Sequence, residues 1–237
     1  MKAHNLLNIA HRGQSGIYPE NTVLAFRKAV ALGVDMIEFD VWPTKDEHPV
    51  VMHDEKVDRT TNGKGAIADL TLDEIRALDA GSGERVPTLA EAVAAIPNTI
   101  LLNIHVKRMK RELGRYVQRF KNALVEADCI GRAWLAMDDL DAIEWLRDWR
   151  PDLNFILLDG KFAQGYVQAA LDLRIKMLQP GRATMSKEFM DTVHANGMTA
   201  NVFYADTHED MRRFIGMGVD GILTNYPERL KELLSAA

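Results

Sequence analysis

From Ile100 to the C-terminus the chain repeats one pattern six times: a short apolar run, a polar break, then a stretch with helical spacing. The runs are Ile100–Val106, Ala133–Met137, Asn154–Leu158, Ile175–Gln179, Thr199–Phe203 and Asp220–Leu223. Helical starts fall near Arg111, Asp139, Ala163, Ser186, Thr207 and Pro227. Consecutive parallel strands need a crossover, and a helix of this length supplies one, so the alternation specifies a parallel sheet covered by helices. The N-terminal part adds three extended runs, Leu6–Ala10, Val34–Val41 and Pro49–His53. Between the first two, Val23, Phe26 and Val30 have helical spacing, with Asn21 as candidate N-cap and Gly33 as the stop. Too few residues separate Val41 from Pro49 for a crossover, so the third run is expected to be a hairpin arm. Removing that arm leaves eight strands, the number that closes a TIM-type (β/α) barrel. An open doubly wound sheet is disfavoured by the lack of a Gly-rich first turn.

Residues from about 54 to 87 interrupt the pattern. Asp58-Arg59-Thr60-Thr61-Asn62-Gly63-Lys64-Gly65 is loop chemistry, and Thr71-Leu72-Asp73-Glu74 is a capping box. A second box, Thr88-Leu89-Ala90-Glu91, opens the helix that returns to the barrel. The expectation is a single barrel domain over residues 1–237 with a small inserted segment after the third extended run. At 237 residues and 47% hydrophobic content the chain can bury such a core.

Charge and cysteine usage narrow the partners. A net charge of −5, with both signs interspersed, marks no surface for nucleic acid or anionic membrane. The single Cys129 excludes an internal disulfide framework and fits a reducing compartment. No run reaches the length of a membrane span, and Leu6–Ala10 is too short for a signal-peptide core. A cytoplasmic protein without stable membrane insertion is expected, and a homo-oligomer stays open.

The chemistry gathers at strand ends. Glu38 and Asp40 are two residues apart, so on a strand both side chains leave by one face. A fold-back over Thr44–His48 would bring His53 opposite them. Two acids and an imidazole converging on one side suit a divalent cation and a proton-transfer group. Along 100–107, Asn103, His105 and Lys107 alternate with Leu102, Ile104 and Val106. In a barrel that polar face fills the interior and is costly unless it has a use. His11-Arg12 closes the first strand, so three strands deliver polar residues to one rim. Taken singly, a histidine at a strand end is more commonly structural, and an acidic pair is more commonly a solvated face. Their convergence is what argues for a catalytic mouth.

These motifs resemble the glycerophosphodiester phosphodiesterase family. The match lies in His11-Arg12-Gly13, Pro19-Glu20-Asn21-Thr22, Ile37-Glu38-Phe39-Asp40-Val41, Pro49-Val50-Val51-Met52-His53-Asp54 and Asp58-Arg59-Thr60-Thr61. Leu102-Asn103-Ile104 with Lys107, and Gly218-Val219-Asp220-Gly221-Ile222, continue it. The resemblance implies a β/α barrel that cleaves glycerophosphodiesters, small-molecule substrates, to glycerol 3-phosphate and an alcohol with a divalent metal. It further implies His11 and His53 as an acid/base pair, Glu38 and Asp40 as metal ligands, and Arg12 and Lys107 as phosphate contacts. Two positions depart from the family pattern. His105 stands where a third carboxylate ligand is usual, which opens the Mg²⁺ or Ca²⁺ expected of the family to Mn²⁺ or Co²⁺. Phe203-Tyr204-Ala205-Asp206 stands where the family carries an aromatic-Thr stretch with a Trp, which makes Phe203 the substrate-contact candidate at the mouth. A sugar phosphodiester or a lysophospholipid is the alternative substrate, and a non-catalytic phosphodiester-binding barrel the alternative role.

Overall fold

A computed structural model describes residues 6–107, 114–160 and 165–236. Its strands are β1 (Leu7–His11), β2 (Met36–Pro43), β3 (Pro49–Val51), β4 (Leu101–Val106), β5 (Ala133–Met137), β6 (Asn154–Leu158), β7 (Met177–Gln179), β8 (Thr199–Val202) and β9 (Gly221–Thr224). The helices are α1 (Val23–Leu32), α2 (Leu72–Arg76), α3 (Leu89–Ala94), α4 (Gly114–Glu126), α5 (Leu140–Trp149), α6 (Tyr166–Asp172), α7 (Lys187–Ala195), α8 (His208–Met217) and α9 (Pro227–Ser235). The helical starts expected near Arg111 and Ala163 lie outside the described residues.

Strands β1, β2, β4, β5, β6, β7, β8 and β9 pair in parallel, and the pairing of β1 with both β2 and β9 closes the barrel. The surplus strand is the hairpin arm: β3 runs antiparallel to the end of β2, with Val41 opposite Val51.

Strand alternation sets what faces where. Ile37, Phe39 and Val41 of β2, with Leu102, Ile104 and Val106 of β4, point outward into the shell shared with the helices. Inward-facing residues form layers fixed by register. Ile9, Met36 and Leu101 make an apolar floor, and His11, Glu38 and Asn103 lie one step above it. Asp40 and His105 pair at the next step. The barrel therefore changes from apolar to ionisable toward the C-terminal ends of its strands, where barrel enzymes hold their sites.

Several local devices match the sequence. Both capping boxes form, and Gly33 ends α1 in the left-handed region. One differs: Thr22, not Asn21, caps α1, its hydroxyl accepting from Ala25 N. Asn21 takes a left-handed backbone and sends its amide to Asp40 instead. The segment after β3 packs a small apolar cluster, Val57, Ile67, Ile75, Ala80 and Val86, against Val50 and Met52.

At the opposite end of the barrel from Asp40 and His105, Arg132 is buried and donates to the carbonyls of Ile96, Pro97 and Ile100 at 2.9 to 3.1 Å. These carbonyls follow the C-terminus of α3, where a cation is favoured and water is excluded. Arg132→Met is expected to destabilise the fold by about 2–4 kcal/mol, because charged hydrogen bonds vanish and carbonyls stay buried. A thermal melt should fall by about 4–16 °C with kcat unchanged. A loss under about 2 °C would count against the contact.

Candidate active site

The C-terminal mouth holds a cavity of about 280 Å³ lined by His11, Arg12, Glu38, Asp40, His53, His105 and Phe203, among others. A second, more open cavity meets it at His11, Arg12 and Phe203 and extends toward Ser15, Tyr204 and Tyr226. Candidates from well-separated stretches of sequence thus share one space.

Glu38 and Asp40 are almost wholly buried. Burial pushes the Glu38 carboxyl well above the usual carboxylate range, and the neighbouring Asp40 charge adds to it. Asp40 goes the other way. Burial opposes its charge, but the close contact with His105 and the charge on Lys107 outweigh it and hold the carboxyl well below the usual range. His105 Nδ1 lies 3.1 Å and Lys107 Nζ 2.9 Å from Asp40 Oδ1. Asn21 Nδ2 donates to Asp40 Oδ2 at 3.0 Å. A solvated acidic strand is therefore ruled out for this pair.

Glu38, Asp40 and His105 each offer one ligand atom, all within 4.8 Å of one another. Two buried carboxyls compete for one proton unless a cation joins them, and the raised Glu38 shows that strain. The donor set, two hard oxygens and one imidazole, fits a divalent cation.

His11 is buried at the end of β1, and burial, helped by the Arg12 charge, lowers its pKa to about 4. Its tautomer is fixed from outside. Asp206 carboxylate oxygens can only accept, and they take Asn225 N at 2.8 Å and Asn225 Nδ2 at 2.7 Å. Asn225 Oδ1 is therefore the atom 2.8 Å from His11 Nδ1, and it accepts that ring's N–H. The His11 Nε2 lone pair is left toward the cavity, 3.8 Å from Glu38 Oε2. Phe203 meets the ring edge-on at 5.2 Å and Tyr204 stacks on it at 5.7 Å, which leaves it little rotational freedom.

Arg12 follows in a left-handed backbone conformation, and Gly13 beside it, at φ 78°, has Ala25 backbone atoms 2.7 Å from where a Cβ would stand. Only glycine lets α1 approach this turn so closely. Arg12 Nη1 donates to Glu20 at 3.0 Å. Its Nε is buried, 3.5 Å from Asp40 Oδ2, with no hydrogen-bond acceptor among the described residues.

His53 arrives differently from the expectation. The β2–β3 ladder ends at Val51, so His53 lies beyond the last cross-strand pair rather than opposite Glu38. Trp42 Nε1 holds its carbonyl at 2.9 Å, and the ring reaches the cavity from the end of the arm. Its Nδ1 sits 2.6 Å from Asp54 Oδ1. Asn103 takes no part at the rim; it spans the barrel to Gln179 Oε1 at 2.7 Å. Asn21, Asp206 and Asn225 were not singled out as site residues from the sequence. Asn21 reads there as a helix cap.

Comparison with known proteins now decides the lineage. The model of the glycerophosphoryl diester phosphodiesterase family matches residues 11–229. The chain belongs to that family. Its members are phosphoric diester hydrolases that use a divalent metal, and the cluster of Glu38, Asp40 and His105 provides a place for one. A glycerophosphodiester phosphodiesterase of Caldanaerobacter subterraneus subsp. tengcongensis is 38% identical over 96% of this chain and 97% of its own. One from Bacillus subtilis is 31% identical over 94% and 84%. A solved phosphodiesterase from Oleispira antarctica, in complex with sn-glycerol-3-phosphate, superposes with a TM-score of 0.88 over 96% of both chains. At 24% identity this last likeness speaks for the barrel alone.

Proposed function

We propose that this chain hydrolyses a small, soluble glycerophosphodiester to glycerol 3-phosphate and an alcohol. Glu38, Asp40 and His105 would hold the divalent cation, which supplies polarisation of a phosphoryl oxygen when bound. The single observation that carries the reading is the joining of His11, Arg12, Glu38, Asp40, His53 and His105 around one cavity.

Each residue then has a task. The buried Nε–H of Arg12 lacks an acceptor and suits a non-bridging phosphate oxygen, and Lys107 adds positive charge from the end of β4. His11 is neutral and presents a lone pair, so it takes the proton of the attacking hydroxyl as the new P–O bond forms. His53, backed by Asp54, gives a proton to the departing alkoxide as the old P–O bond breaks. Phe203 walls both cavities and would contact the glycerol or the alcohol. No described helix is long and apolar enough to cross a membrane, and the buried lone Cys129 supports a cytoplasmic setting. The chain acts on this reading as one barrel domain, with the segment at about 54–87 as its insertion.

Release of glycerol 3-phosphate from glycerophosphocholine tests the activity. Turnover with Mn²⁺ or Mg²⁺ present is expected. Binding of the diester without product would instead favour a non-catalytic barrel, and turnover confined to lysophospholipid would move the substrate class.

A further inference from the structure

The inserted segment sets a side chain beside the mouth that no role above uses. Arg59 reaches back from the loop after β3 and makes two forked contacts. Its Nε and Nη2 donate to Asp54 Oδ2 and Oδ1 at 2.6 and 2.9 Å. Its Nη1 and Nη2 donate to Glu20 Oε2 and Oε1 at 2.8 and 2.7 Å. Asp54 in turn meets His53 Nδ1, and Glu20 meets Arg12 Nη1. One guanidinium thus stands between the partner of an acid/base histidine and the partner of the phosphate-binding arginine.

We propose that Arg59 is a positioning residue for phosphodiester cleavage, acting through Asp54 on His53 and through Glu20 on Arg12. The inference rests on the functional reading above and adds the device that couples its two arms. Arginine is suited to this because its planar fork can satisfy two carboxylates at once, whereas a lysine offers a point charge. Both carboxylates respond: hydrogen bonding from Arg59 holds Asp54 well below the usual carboxylate range, and at Glu20 it helps to outweigh the effect of burial. An ionised Asp54 keeps accepting from His53 Nδ1–H, which leaves Nε2 directed at the cavity.

A merely structural strap is the competing role, and the surroundings argue against it. The insertion has its own apolar cluster and its own backbone bonds, Val57 N to Gly65 O and Ile67 N to Glu55 O. Arg59 is half exposed, so as a structural ion pair it would be worth little. Its geometric specificity matters more than its energy.

The test uses the whole 237-residue chain, metal-loaded, and the variants Arg59→Ala, Arg59→Lys, Asp54→Asn and Glu20→Gln. Arg59→Ala is expected to lower kcat/KM by about 10- to 100-fold, the range for losing a partner that orients a working ligand. The melting temperature should move by less than about 4 °C. The arms should separate, with Asp54→Asn lowering kcat and Glu20→Gln raising KM. Arg59→Lys should rescue little, while added guanidinium ion should restore Arg59→Ala in a saturable way. A second readout needs no turnover: ¹⁵N-histidine spectra of Arg59→Ala should show His53 losing its hydrogen-bonded Nδ1–H signature while His11 keeps its own. Unchanged His53 signals, or an activity loss that merely follows a lowered melting temperature, would overturn the proposal. A wild-type protein inactive on glycerophosphodiesters would reject the functional reading, and the spectra would still decide whether Arg59 orients His53.

Discussion

Replacing His11 or His53 with alanine is expected to lower kcat by about two to four orders of magnitude, the contribution of a positioned proton-transfer group. The two variants should differ in what rescues them. His11 is locked by Asn225 and Asp206 with its Nε2 lone pair toward the cavity, and burial keeps it neutral. A group so held is suited to accept a proton from the nucleophile, a step that every substrate requires. On the proposed roles His53 donates to the leaving group, and a p-nitrophenolate leaves without a proton. A p-nitrophenyl phosphodiester should therefore restore much of the rate in His53→Ala and little in His11→Ala. Affinity for a non-hydrolysed diester should change far less in either, since Arg12 and Lys107 remain. Near-wild-type turnover in one variant would remove that histidine from the mechanism, and rescue of His11→Ala instead would exchange the two roles.

The barrel was legible because its signals are local. Ala133–Met137 and Asn154–Leu158 are short, mostly apolar runs between polar breaks, and β5 and β6 take those bounds. The hairpin arm was legible from chain length alone, since the few residues between Val41 and Pro49 cannot carry a crossover helix. Alternation along β4 revealed an inward polar face, but not its depth. Asn103 and His105 share that face, yet one bridges the barrel to Gln179 while the other meets Asp40 at the rim. Depth follows from register, and register between parallel strands separated by a helix leaves no mark on either strand's composition. The supporting residues were hidden for a related reason. Arg59 and Glu20 are 39 positions apart on two loops, and Asn225 meets His11 across 214. No periodicity links such pairs. Asn21 shows the same limit: next to Thr22 it reads as a cap, and only the fold sends its amide to Asp40.

Stripping the protein with a chelator is expected to abolish turnover, with Mn²⁺ or Co²⁺ restoring it better than Mg²⁺ or Ca²⁺. The reason is His105. Glu38 and Asp40 alone would make a hard oxygen site of the kind Mg²⁺ and Ca²⁺ occupy. An imidazole as third donor favours later first-row metals, and it removes a negative charge that would hold a hard cation. Asp40 is further committed to Lys107 at 2.9 Å, so less of its charge is free for the cation. A preference for Mn²⁺ over Mg²⁺ of about tenfold or more is expected in activation and in calorimetric binding to the stripped protein. His105→Glu then separates two roles for the side chain. If the imidazole is a ligand, the variant should bind Mg²⁺ and Ca²⁺ more tightly and lose the preference for Mn²⁺. If its task is the 3.1 Å contact with Asp40, the metal profile should stay as it was while the rate falls, because the substitution replaces an imidazole beside Asp40 with a carboxylate that repels it. An unchanged profile would make the site a two-carboxylate one, completed by water and the substrate's own phosphate.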